Sequence, residues 1–182
     1  MAEMQSEMVI IPGRLGRIVR VIDGISEWSG RAVAWLTVPL ILTLMFEVVS
    51  RYGFDKPTIW SYDITYMIYG AHFMLVAAFT LRHQGHIRTD FFYRTWSVKT
   101  QGRVDAALYL LFFLPALTLF FIASWDFAFE SVMKLEQGFD SPWMPPVYPL
   151  KTVMPVSAAL LIMQGISEFI KSLYAARHGR WP

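Results

Sequence analysis

AALYLLFFLPALTLFFIASW, residues 106–125, runs for twenty positions without a formal charge. At 1.5 Å per helical residue it covers about 30 Å, the thickness of the hydrocarbon core of a bilayer. Three further stretches have the same character. Ala32 to Ser50 (AVAWLTVPLILTLMFEVVS) holds one acid near its end, and Ile64 to Leu81 (ITYMIYGAHFMLVAAFTL) has no formal charge. Thr152 to Ser167 (TVMPVSAALLIMQGIS) is shorter, and reaches spanning length if Lys151 and Lys171 extend toward the headgroups. The rival reading of the fourth is a buried soluble helix.

Composition supports four spans. Of 182 residues, 55% are hydrophobic and only 16% charged, against roughly 25% charged in an ordinary soluble domain. Cysteine is absent, which excludes disulfides, thiolate catalysis, iron–sulfur clusters and cysteine zinc sites. The first thirty residues lack a compact apolar core followed by a small-residue cleavage site, so the first span is expected to act as an uncleaved insertion signal.

Lysine and arginine set the expected orientation. Twelve fall in the N-terminal segment, the second loop and the tail, and four in the first and third loops. Both termini and the second loop are therefore expected in the cytoplasm. Ahead of the first span, Ile11, Leu15, Ile18, Ile22 and Ile25 form a stripe at helical period, with Arg17, Arg20, Asp23 and Glu27 on the other face. Such a helix is expected to lie in the interface, or else to pack on a soluble partner. The fold expected is thus all-α: an integral membrane protein with four transmembrane helices preceded by an amphipathic interfacial helix. Residues 1–30 form the cytoplasmic segment and 31–175 the transmembrane domain, with spans near 31–51, 61–82, 104–128 and 150–172. Residues 176–182 form the tail. Pro39, Pro115 and Pro155 should bend their helices. Ser97 is an N-cap candidate for a third helix that continues toward Ser131. The Gly- and Pro-rich EQGFDSPWMPPVYP, residues 136–149, cannot be continuous helix.

Polar residues in or beside the spans are the candidates for function. Glu47 and Arg51 stand four apart in the favourable order for an ion pair, and Arg51 could alternatively reach Asp63 across the short loop. Asp126, Glu130 and Lys134 share a face. Gln164, an amide in the middle of the fourth span, needs partners and is expected to hydrogen-bond across helices, with Ser157 and Gly165 permitting close approach. Histidines do not face each other from different spans, which disfavours bis-histidine haem. A metal at His83, His86 and Asp90 is disfavoured by neighbouring arginines. There is no Ser–His–Asp set, phosphate loop or zincin motif, so no enzyme, metal, cofactor or substrate site is expected, and nothing suggests nucleic acid. Four helices without inverted repeats fall short of a complete transporter, leaving a helper subunit of a larger membrane partner. The rivals are a membrane anchor for a redox enzyme, with or without haem on His72 and His83 or His86, and a self-sufficient small channel.

RHQGHIRTDFFYR, residues 82–94, resembles the Gly-His-Val/Ile-Arg-x-Asp signature of the small membrane subunit of tripartite ATP-independent periplasmic (TRAP) transporters, the DctQ-type family. SRYGFDKPTIWSYDI (50–64) is similar to that family's Arg after the first helix and its Trp and acid opening the second, with Asp63 where a glutamate is common. PLKTVMPVSAALLIMQGISEFIK (149–171) is similar to its proline-bearing fourth helix with a central glutamine. The resemblance implies a sodium-coupled importer of organic acids, carboxylates or sulfonates. Its partners would be a large multi-helix subunit moving by an elevator motion and, transiently, a periplasmic binding protein; the small subunit would be a scaffold. On that footing Gln164 packs helices, and His86, Arg88 and Asp90 cap the second helix and hold lipid phosphates or partner backbone. Arg51 with Glu47 or Asp63 fixes the opposite end.

Overall fold

The computed structural model describes residues 11–83, 93, 95–138 and 141–182. Six helices appear among them: α1 (Gly13–Ala34), α2 (Thr37–Val48), α3 (Ser61–Arg82), α4 (Val98–Leu108), α5 (Leu114–Met133) and α6 (Tyr148–His178). One π-helical turn, Val49–Gly53, extends α2, and another, Tyr109–Phe113, joins α4 to α5. As continuous rods these give four helices long and apolar enough to cross a membrane: Gly13–Gly53, Ser61–Arg82, Val98–Met133 and Tyr148–His178. The chain is an all-α membrane protein.

Prolines account for the breaks. A proline has no N–H to bond four residues back, and its ring crowds that carbonyl. For Pro39 the carbonyl is that of Trp35, and the helix breaks there, within the stretch expected as the first span. The Val38 N–H takes the Trp35 carbonyl at 3.1 Å and the Leu36 N–H that of Val33 at 2.9 Å, both three residues back. Regular helix resumes when the Leu40 N–H bonds Leu36. Pro115 is accommodated by the π turn just ahead of it, while α6 runs on through Pro155. Ser97 does cap α4, its hydroxyl accepting the Thr100 N–H at 3.3 Å. From there the rod continues for 36 residues. Residues 136–138 lie against residues 145–147, with Gly138 N–H to the Pro145 carbonyl at 2.8 Å and Val147 N–H to that of Glu136 at 3.0 Å.

Helix α6 is the centre of the bundle and packs on α1, α3, α4 and α5, while α2 lies against α3. Many of the buried residues are small: Ala78, Ala106, Ala128, Ala158 and Ala175, with serines between them. Large side chains such as Leu42, Phe73, Phe112 and Leu119 point outward. Lipid tails are as apolar as leucine, so helices in a bilayer gain most from close backbone contact and hydrogen bonds. Two glycines mark the closest approaches. A Cβ on Gly102 would stand 2.5 Å from the Ala176 nitrogen and 2.6 Å from the Ser172 oxygen, and one on Gly165 would stand 2.6 Å from the Phe113 ring.

Candidate functional site

Asp23, Ser26, Glu27 and Gly30 recur along α1 at the i, i+3, i+4, i+7 spacing that shares one helix face; Gln164, Ser167, Glu168 and Lys171 do the same along α6. The structure sets most of these two quartets against each other. Gln164 is fully buried, and its amide is used on both sides. Its Oε1 accepts the Ser26 hydroxyl at 2.7 Å. Its two N–H donors serve two carboxylates, Asp23 Oδ1 at 3.1 Å and Glu168 Oε1 at 3.0 Å. Ser167 donates to Asp23 Oδ1 at 2.8 Å. The Lys171 ammonium lies 2.8 Å from both Asp23 Oδ2 and Glu168 Oε1. One cation, one amide and the Ser167 hydroxyl thus donate to two anions that would otherwise repel each other at low dielectric, while Ser26 donates to the amide oxygen.

Glu27 and Gly30 tie the same face of α1 to α3. The Glu27 carboxylate takes Arg31 Nε at 2.8 Å along its own helix, then Arg82 and, at 2.9 Å, His83 from the end of α3. Gly30 lies directly on Phe79, where a Cβ would collide with the side chain. The sequence places Asp23 and Glu27 opposite the stripe of Leu15, Ile18 and Ile25, and in the structure that polar side meets the bundle. Leu15, Ile18 and Ile25 face out, and the small and acidic residues face the bundle. An apolar stripe gains nothing by leaving lipid, whereas carboxylates and hydroxyls gain partners by turning inward. Gln164 was legible as an unpaired amide in a span. Ser26 and Ser167 were missed, though the matching polar periodicity of the two helices could have pointed to them.

At the opposite end, Arg51 pairs with Glu47 at 2.5 Å, so the local alternative forms rather than a contact with Asp63. Thr58 donates its backbone N–H and its hydroxyl to the other Glu47 oxygen, at 3.1 and 2.5 Å, and so closes the loop after α2. Asp63 is buried and accepts from Ser141 at 2.5 Å, tying the start of α3 to the loop before α6. Lys151 joins Glu136 at 2.6 Å and lies 4.0 Å over the Phe127 ring. Its hydrogen bond holds the Glu136 carboxyl below the usual glutamate range. Glu130 pairs with Lys134 at 2.5 Å, which raises the Lys134 amine above its ordinary value. His86, Arg88 and Asp90 lie outside the described residues.

Most of these polar groups join one element to another. His72 Nε2 lies 3.3 Å from Thr37 Oγ1, between α3 and α2. His72 and His83 ride on the same helix and its cap, about 16 Å apart along the axis. The arrangement can brace helices.

Comparison with curated protein sequences gives no match. Residues 40–174 match the family described as tripartite ATP-independent periplasmic transporters, DctQ component. The matched stretch includes α6 with Gln164, Ser167, Glu168 and Lys171, and begins after α1. With so much of its length matched, the chain belongs to the DctQ component family of tripartite ATP-independent periplasmic transporters.

Proposed function

We propose that this chain is the small scaffold subunit of a sodium-coupled, binding-protein-dependent importer of organic acids, carboxylates or sulfonates. It sits in a bacterial inner membrane with both termini in the cytoplasm, as the distribution of lysine and arginine favours. Its task is to brace the immobile part of a large transport subunit while an elevator domain moves against it. The observation that carries the reading is the use of the Gln164 amide. The most deeply placed polar side chain of α6 is fully spent on Ser26, Asp23 and Glu168 of its own chain, which suits a rigid brace. Arg51 with Glu47 would fix the outer end, and His86, Arg88 and Asp90 would meet lipid phosphates or partner backbone on the inner side.

The test is affinity purification of the chain from its native membrane in mild detergent, with mass spectrometry and an absorption spectrum of the same sample. A large multi-helix membrane protein in stoichiometric amount, with no haem band, is the expected result. A haem Soret band, or a soluble dehydrogenase as the main companion, would overturn the proposal in favour of a redox anchor.

A further inference from the structure

Helix α3 exposes four side chains, all aromatic: Tyr62, Tyr66, Tyr69 and Phe73. Their spacing of four, three and four places them in one stripe along the helix. Each is more than half exposed, Tyr69 at 59% and Phe73 at 68%. The neighbours of α3 occupy its other sides. α2 packs where His72 meets Thr37, and α6 packs where Leu150 lies against Gly70. The stripe between them is uncovered.

Its hydroxyls make it unlike the other outward faces. The large exposed residues of α2, such as Val38, Ile41, Leu42 and Met45, have no polar group and suit lipid. Hydroxyls of threonine elsewhere in the spans turn back onto their own helix: Thr118 donates to the Leu114 carbonyl at 2.7 Å, and Thr80 to that of Val76 at 3.1 Å. A phenol stands too far from its own backbone to do so. Tyr66 and Tyr69 make no hydrogen bond among the described residues. Side chains lean toward a helix N-terminus, so Tyr62, in the first turn, reaches the headgroup level where tyrosine is at home. Tyr69 differs. In a 22-residue helix it lies about 4 Å from the midpoint at 1.5 Å per residue, a depth at which the core of a bilayer would offer its hydroxyl neither water nor a lipid acceptor.

We propose that the Tyr62–Tyr66–Tyr69–Phe73 face of α3 is where the large membrane subunit docks, through a helix that presents hydrogen-bond acceptors to the hydroxyls of Tyr66 and Tyr69. This assignment rests on the scaffold reading and names the surface through which the scaffold acts. Rigid aromatic side chains give large contact area for little lost freedom, and tyrosine is enriched at the centres of protein interfaces.

The test introduces a benzophenone-bearing phenylalanine at Tyr69 or Phe73, and at Leu42 or Leu119 as controls, in the complete transporter in its native membrane. Irradiation should cross-link positions 69 and 73 to the large subunit at least tenfold more than positions 42 and 119. Stronger adducts from 42 or 119, or stripe adducts only with lipid or with a second copy of this chain, would overturn the assignment. In addition, Tyr69→Phe, which keeps the ring, should lower recovery of the complex roughly threefold, the scale of one interhelical hydrogen bond in a membrane; unchanged recovery would overturn the hydrogen-bonded docking. Recovery of the large subunit with cross-links from another face removes this inference alone. Absence of the large subunit from the purified sample removes the scaffold reading itself.

Discussion

Lys171 is the one cation between the carboxylates of Asp23 and Glu168, 2.8 Å from each. Removing it leaves two neighbouring anions with only hydrogen bonds to hold them. Lys171→Met should therefore destabilise the bundle on the order of 2–4 kcal/mol, near the low end of what breaking a buried ion pair costs. Lys171→Arg, which keeps the charge, should recover most of the loss. The apparent melting temperature in detergent checks both. A milder case lies at the other end, where Glu136 titrates below its usual range because Lys151 donates to it. A depressed carboxyl stabilises the fold above its unfolded pKa and loses that contribution as pH falls through the folded value. The melting temperatures of wild type and Glu136→Gln should differ at neutral pH and converge on the acid side. Individual residues were unequally legible. Gln164 announced itself because an amide in hydrocarbon must be paired. Its partners could not be read, because Asp23 sits in a segment whose amphipathic pattern suggests a helix lying in the interface, not one packed on the fourth span.

At the scale of helices, contact depends on missing side chains. Gly102 of α4 lies against the backbone of α6, and backbone cannot move aside as a side-chain tip can. Gly102→Ala should cost about 1–3 kcal/mol, the usual price of overpacking. Gly24, inside α1, has nothing within 4 Å of where a Cβ would stand, so Gly24→Ala should stabilise by about 0.5–1 kcal/mol through helix propensity alone. The two substitutions are chemically identical and are expected to move the melting temperature in opposite directions. Equal shifts would show that α4 and α6 are not in close contact. Spans were the most legible elements, since uninterrupted apolar runs of bilayer length have few other readings. The exact start of the first was not, because the break at Trp35 comes from a proline four residues later and leaves no mark in hydropathy. Nor was the packing face of α1, because in lipid an apolar stripe is free to face outward.

For the molecule as a whole, α6 forms a spine to which α1, α3, α4 and α5 are fastened, and several charges at each end are paired within the chain. On the proposed reading, such a body braces a moving neighbour without handling its cargo. The family to which the chain belongs implies partnership with other transporter components, and the polar clamp between α1 and α6 would supply the stiffness the proposal needs. The most direct measurement is uptake by proteoliposomes that contain the complete transporter and its binding protein, with Lys171→Met in this chain, read as maximal rate and as the sodium concentration giving half that rate. A brace predicts a lower maximal rate, in proportion to the complex that remains assembled, with the sodium dependence unchanged. A shifted sodium dependence in a fully assembled complex would contradict the account and place this chain in the coupling machinery.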